Sequence, residues 1–242
     1  MRVISLIPSI TGTLIECGVN VVARTRYCIH PSNKVKDIPI IGGTKAVQWD
    51  KAPQADLVIL DKEENTKEMA ASCPYPRFVI HITNLENLRN TLVDLSVELK
   101  NQKLLDLANK LETVLKKEVV EQKTLREFPG IIQANEEFFQ AKSLSYLIWK
   151  KPFMKIGSNT FISDMIKALG YSSFFVFQES KYPELKTLDA SKNQGYILSS
   201  EPYPFAKEYA EWSKSYPCAL VDGESFSWYG IRSIEFLCKN RV

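Results

Sequence analysis

Only two histidines, His30 and His81, occur in the chain, and neither has a carboxylate or cysteine at metal-ligand spacing. The sequence also lacks a GxGxxG dinucleotide turn, a Walker A loop, a GxSxG nucleophile elbow and an HExxH helix. These gaps remove every local signature of dinucleotide, nucleotide-hydrolysing, serine-hydrolase and zinc-protease chemistry. The expectation is a protein that is not an enzyme and has no built-in cofactor or metal. An enzyme whose site is assembled from distant residues, drawing on His30, His81, Cys28 and nearby acids, stays as an alternative that clustering of those side chains would support.

No CxxC pair is present, and five cysteines (Cys17, Cys28, Cys73, Cys218, Cys238) leave one over if the others were bridged. Reduced thiols acting as small buried hydrophobes fit this better than a disulfide framework, which predicts a reducing compartment. No apolar run approaches the ~20 residues of a membrane span. Met1 leads straight into a strand, without the basic and apolar regions of a signal peptide. The expected location is therefore cytoplasmic as the sequence is written, or periplasmic if a leader is missing. Charge of one sign is also scarce: 31 basic against 28 acidic residues give +3, too little and too scattered for a nucleic-acid footprint. A monomer with no nucleic-acid partner is expected.

What is present is an ordinary globular composition, 45% hydrophobic and 24% charged over 242 residues. That length suits one large domain or two lobes of roughly 100 residues. The first half alternates strands with helices. Val3–Ile7, Val19–Ala23, Asp56–Leu60 and Arg77–Ile80 read as buried strands, with helices from Pro8 towards Gly18 and from about Asn65 to Ala71. Such alternation predicts a mainly parallel sheet. From Leu85 the period changes. Leu85, Leu88, Leu92, Leu95 and Leu99 form a helical stripe, which Leu104, Leu107, Leu111 and Leu115 continue after a small phase shift. A single helix from Asn84 to Glu121 would extend about 55 Å, more than one lobe needs, so it is read as a bridge between two lobes. A segment folded back on itself would remove that argument. After Pro129 the alternation resumes, with strands at Leu144–Trp149, Gly195–Leu198 and Ala219–Val221. Helices are expected at Phe161–Leu169, capped by Ser158 or Asn159, at about Phe205–Ser215 and at Gly230–Cys238. The expected division is an N-terminal lobe over 1–83, a connecting helix over 84–122 and a C-terminal lobe over 123–242.

Three segments carry more than periodicity: DGESFSWYGIR (Asp222–Arg232), SSEPYPF (Ser199–Phe205) and IWKKPFMKIGSNTFISDMIKALG (Ile148–Gly170). In this order they resemble the C-terminal lobe of the class III substrate-binding proteins, which capture cobalamin, heme and iron-siderophores for ABC importers. The opening RVISLIPSITGTLIECG (Arg2–Gly18) resembles the first strand, loop and helix of the same family. The resemblance implies two Rossmann-like α/β lobes joined by one long backbone helix, with a metal chelate held in the cleft for ABC-type uptake. It also implies that an exposed glutamate on each lobe meets arginines of a permease, here Glu201 and Glu63 or Glu64. The chain departs from the family in two places: the opening motif often reads PSITE where Thr11 is followed by Gly12, and the stretch before ADLV (Ala55–Val58) is short.

Large flat ligands are held by aromatic faces with a few polar groups. The ligand-binding candidates are Ser9, Tyr27, Trp49, Phe161, Trp228, Tyr229 and Arg232; the docking candidates are Glu64 and Glu201. Of these, Trp228, Tyr229 and Arg232 match the family motif, whereas Tyr27 and Trp49 follow from loop position. Two roles remain open for the motif: ligand contact, or a plug at the base of the C-terminal sheet with Arg232 paired to Glu224 or Asp222. Gly42–Gly43 and Gly157–Ser158 are read as a turn and a cap, with anion cradles as the alternative. A different class of protein also remains open, a cytosolic sensor or interaction module that keeps the fold without transport.

Overall fold

A computed structural model describes residues 1–122 and 124–241. The chain divides into two compact units, Met1–Thr113 with Trp228–Ile234, and Val114–Ser227 with Glu235–Val242. Lys123 and Val242, which bound the expected C-terminal lobe, lie outside the described residues.

The first unit contains β1 (Arg2–Ser5), α1 (Pro8–Glu16), β2 (Asn20–Arg24), the short α2 (Ser32–Val35), β3 (Leu57–Asp61), α3 (Lys67–Ala71) and β4 (Arg77–Ile80). Its four strands run in the order β2-β1-β3-β4 and all pair in parallel. Every residue of β3 is buried, as a central strand covered on both faces requires. Ile4, Leu6, Ala23, Ile41, Val58 and Leu60 form its core, with Met69 contributed by α3.

The segment expected to be one rod from Asn84 to Glu121 is two helices, α4 (Leu85–Glu98) and α5 (Gln102–Leu115). Lys100, at φ 50°, takes the left-handed conformation that ends a helix, and the Asn101 amide donates back to the Ser96 carbonyl at 2.9 Å. Asn101 then starts α5: its Oδ1 accepts from the Leu104 amide at 3.1 Å, while its Nδ2 donates to the Cys17 carbonyl at 3.1 Å. Arg89 and Glu112 meet at 2.8 Å. On a continuous helix they would lie about 34 Å apart, so α4 and α5 are antiparallel neighbours. Both keep their leucine stripes buried, Leu85, Leu88, Leu92 and Leu95 on one, Leu104, Leu107 and Leu111 on the other. The phase shift after Leu99 is the mark of the break. The chain passes between the units within α5, at Thr113–Val114.

The second unit holds β5 (Ile131–Ala134), β6 (Ser143–Trp149), β7 (Met154–Lys155), α6 (Phe161–Ala168), β8 (Gln194–Ser199), α7 (Tyr209–Ser215), β9 (Cys218–Val221) and α8 (Gly223–Ser227). Its sheet has the order β5-β9-β8-β6-β7, with β6, β8 and β9 parallel and the two edge strands antiparallel. Leu147, Tyr196, Leu198, Phe205, Trp212 and Leu220 pack together beside it. The α6 cap is Thr160, in a reciprocal capping box with Ser163, one residue beyond the expected Ser158 or Asn159. The last helix, α9 (Ile231–Asn240), begins in the first unit and ends in the second. The two-sheet, mainly parallel α/β class expected from the sequence is the one the chain adopts.

Candidate functional site

In an open α/β sheet, ligands bind at the carboxyl ends of the strands, where loops from neighbouring strands turn to opposite sides. In the first unit that point lies between β1, whose loop leads to Ser9, and β3, whose loop begins at Asp61. Ser9 is 9% exposed, and its Oγ is buried without a hydrogen-bond partner. Unpaired buried hydroxyls are rare, because each forfeits its hydration. The β3 loop is rigid. Asp61 Oδ1 accepts from the Glu63 and Glu64 amides at 2.7 and 2.9 Å, and the Asp61 amide donates to Asn65 Oδ1 at 2.8 Å. Tyr229, 8% exposed, donates its hydroxyl to Asp61 Oδ2 at 3.1 Å.

Tyr229 belongs to a segment that follows the second sheet in sequence yet packs with the first unit. The Ile231 amide donates to Thr13 Oγ1 at 3.0 Å, and Trp228 meets His30 edge-on at 5.5 Å. A β-carbon on Gly230 would lie 2.1 Å from Thr13 Oγ1, so only glycine fits there. The WYG motif thus anchors the start of α9 on β3 and α1, and does not plug the C-terminal sheet. Arg232 sits half-buried on the first turn of α9.

Burial, with Asp61 and the countervailing Lys45 nearby, raises Glu64 to about 7. Burial and the surrounding carboxylates of Glu64 and Asp61 push the Tyr229 phenol well above its usual value. The end of this sheet is therefore acidic and hydroxyl-lined, with Lys45 Nζ bound to the Glu63 carbonyl at 2.8 Å. Arg24 does not project a charge here: its guanidinium is spent on the carbonyls of Val35, Thr25 and Cys28.

The remaining candidates are dispersed. Tyr27 is 54% exposed beside the Arg26 guanidinium. Trp49 packs with Tyr75 and donates to Ser72 Oγ at 3.2 Å, among residues that lead into β3 and β4 and so at the opposite, amino end of the sheet. Phe161 is buried at the start of α6 in the second unit. Glu201 follows β8 half-buried, its carboxyl raised by burial and by Glu224. The amides of Gly157 and Ser158 are bound to the carbonyls of Lys181 and Gln178, which leaves neither for an anion. Gly42 and Gly43 form a turn closed by the Gly43 amide on the Ala46 carbonyl. His30, His81 and Cys28 do not gather: His30 is beside Trp228, His81 lies 3.9 Å from Glu63, and Cys28 is buried between Thr11 and Thr25. Among the described residues no group of three or more His, Cys, Asp or Glu is arranged to hold a metal ion.

The carboxyl ends of β6 and β8 carry groups that sequence reasoning missed. Trp149, the last residue of β6, is 42% exposed and meets Tyr203 edge-on at 5.7 Å. Both Tyr203 and Lys150 bind the Glu208 carboxylate. The only sequence signal was the aromatic and lysine content of IWKKPF and EPYPF.

No family model matches the chain, and no curated protein matches it by sequence. Solved structures do. The periplasmic vitamin B12 binding protein BtuF of Vibrio cholerae matches with a TM-score of 0.66 at 15% identity, over 98% of this chain and 94% of that one. A periplasmic heme binding protein from Pseudomonas aeruginosa matches at 0.70 and 14%, over 98% and 90%. S. aureus IsdE complexed with heme matches at 0.68 and 13%, over 98% and 96%. These neighbours correct the expected cytoplasmic location: two of them are periplasmic proteins, which points to export. The five cysteines, read as a sign of a reducing compartment, are all free, and three of them are buried, where a lone thiol serves as a small hydrophobe in any compartment. No described helix is long and apolar enough to cross a membrane. Over nearly its whole length, then, the chain has the two-lobed fold of the class III periplasmic solute-binding proteins that its sequence resembles.

Proposed function

We propose that the chain is a substrate-binding protein that holds a metal chelate, of the cobalamin, heme or iron-siderophore kind, for ABC-type uptake, and that it performs no covalent chemistry. The observation that carries this reading is the unpaired, buried hydroxyl of Ser9 at the switch point of a sheet whose fold is shared with vitamin B12 and heme binding proteins. A buried hydroxyl left without a partner is a group waiting for one. Tyr27, Trp228 and Arg232 are its proposed companions in the first unit, with Tyr229 holding the loop; Phe161 is a separate ligand-contact candidate of the second unit. Trp49, at the amino end of the sheet, has the weakest claim. An ABC permease is the partner this reading requires, with Glu201 and Glu64 as the docking acids. Of the two, Glu201 is the better placed, because burial and the Asp61 charge raise the Glu64 carboxyl to about 7 and so reduce its charge near neutral pH.

Absorbance and calorimetric titration with cyanocobalamin, hemin and ferrioxamine B tests the proposal. Saturable one-to-one binding of one of them is expected, weakened roughly fivefold by Ser9→Ala through loss of one hydrogen bond. Absence of saturable binding to all three would overturn it.

A further inference from the structure

The nine-residue helix α1 begins without a side-chain cap. Its first bonded amide is that of Thr11, which donates to the Ile7 carbonyl at 2.8 Å. Pro8 has no N–H, so the amides of Ser9 and Ile10 are the ones left without a partner inside the helix. Both residues are buried, which denies these amides the bulk water that serves an exposed helix end. The Ser9 side chain is orphaned too: the residue is 9% exposed and its Oγ has no hydrogen-bond partner. Side chains of a helix lean towards its N-terminus, so this hydroxyl lies at the same end as the two amides. Buried donors gathered in one place and left unsatisfied are rare, and an acceptor oxygen would serve all of them. No acidic residue of the first turn supplies one. The partial positive charge of the helix end favours an acceptor that is negatively charged.

The neighbouring loop carries the matching charge. β2 lies beside β1, and the loop that leaves its carboxyl end packs on the first turns of α1, with Thr11 Oγ1 and Cys28 Sγ 3.1 Å apart. Arg24 braces that loop through the carbonyls of Val35, Thr25 and Cys28, and Thr25 Oγ1 accepts the Tyr27 amide at 3.3 Å. What the loop presents to solvent is Arg26. Its guanidinium lies 5.8 Å from the centre of the Tyr27 ring and rests against the Gly42–Gly43 turn, where a β-carbon on Gly43 would be 3.5 Å from Nε. Among the described residues it makes no hydrogen bond or ion pair. The carboxylate of Asp61, on the β3 side, is already taken up by the Glu63 and Glu64 amides and the Tyr229 hydroxyl, so it does not serve the α1 donors.

We propose, on the footing of the binding-protein reading above, that the Ser9 and Ile10 amides and the Ser9 hydroxyl seat one oxyanion of the ligand, a carboxylate or a phosphate, with Arg26 as the facing cation. Fixed donors at a helix start reward negative charge on the acceptor, and a neutral carbonyl gains only the hydrogen bonds. The first unit therefore selects for a ligand that carries a free acidic group, whatever its metal.

The test uses the full chain, labelled with nitrogen-15 and titrated with inorganic phosphate and separately with acetate at constant ionic strength. Saturable shifts of the Ser9 and Ile10 amide resonances are expected, and the tighter of the two probes names the source of the oxyanion. Ser9→Ala should weaken binding about fivefold through loss of one hydrogen bond. Arg26→Gln should weaken it about threefold and flatten its dependence on salt. Ser9→Asp places a carboxylate at the same helix end and should abolish binding of both probes, while the Tyr229 and Ile231 amide resonances keep their positions. Where a variant fails to fold, the wild-type shifts decide alone. Shifts that do not saturate at Ser9 and Ile10, or an affinity indifferent to Ser9→Asp in a folded variant, overturn the inference; binding of cyanocobalamin, hemin or ferrioxamine B by the same protein then leaves the binding-protein reading standing. Saturable anion binding at Ser9 in a protein that takes up none of those chelates has the opposite meaning: the oxyanion seat stands and the metal-chelate reading falls.

Discussion

Replacing Glu64 with glutamine should stabilise the protein increasingly as pH rises from 4.5 to about 7, and by a constant amount above that. Glu64 lies half-buried in the β3 loop, its amide bound to Asp61 Oδ1 and its carboxyl beside the Asp61 charge, with Lys45 a partial offset. Burial first and Asp61 second raise it from 4.5 to about 7. An acid raised on folding takes up a proton that the unfolded chain releases, so between pH 4.5 and 7 the folded state binds more protons and stability falls as pH rises. Below that window both states are protonated and nothing is lost; above it the full penalty applies. A rise from 4.5 to about 7 corresponds to about 3.4 kcal/mol, and the solvent that still reaches this residue brings the expected figure to about 2 kcal/mol. Glutamine carries no charge at any pH and escapes the penalty. Urea denaturation should therefore show Glu64→Gln unfolding at a midpoint higher by roughly 1 M near pH 8.5 and coinciding with wild type near pH 4.5. Equal stability changes at the two pH values, or destabilisation near pH 8.5, would refute the linkage argument.

Gly230→Ala should cost more than about 3 kcal/mol, since it places a methyl 2.1 Å from Thr13 Oγ1 on backbone at φ 121°. Adding Thr13→Ala should recover part of that loss in thermal unfolding, and a purely additive double variant would contradict the clash. Lys100→Gly should raise stability by about 0.5–1 kcal/mol in urea, because glycine takes the φ of 50° without strain. A loss on this substitution would mean that the Lys100 side chain matters more than its backbone. Tyr229→Phe should cost about 1–2 kcal/mol by leaving Asp61 Oδ2 without its donor. No change in stability would show that water replaces the phenol there.

Alternation of short β-branched runs with amphipathic helices made both sheets legible, because a strand buried on both faces, such as Leu57–Asp61, has no polar alternation to disguise it. The edge strands β5 and β7 escaped for the converse reason: Ile132 and Gln133 are exposed, and β7 has only two residues. The site was legible only in part. Ser9 and Tyr229 announced themselves by sitting in a loop after a strand and in an aromatic motif. That Tyr229 would reach Asp61, 168 positions away, is a property of chain crossing that no local pattern records. The Trp149–Tyr203–Glu208 arrangement was hidden for the same reason: its members come from two separate segments, one after β6 and one after β8, brought together when those strands pair.

The break at Lys100 bears most on the functional argument. A rod of about 55 Å would have set the two lobes at a fixed separation by stiffness alone, and the antiparallel α4–α5 pair removes that premise. The binding reading now stands on other ground. The fold is shared over 98% of the chain with a vitamin B12 binding protein and a heme binding protein, and the binding proposal adds to it the unpaired Ser9 hydroxyl. Within the first unit the returning segment Trp228–Ile234 is fastened by Tyr229 to Asp61 and by Ile231 to Thr13. The tyrosine that sequence reasoning offered as a ligand contact thus does its work one step back. It holds the β3 loop and the start of α9 in register, beside the Ser9 hydroxyl that has no partner of its own.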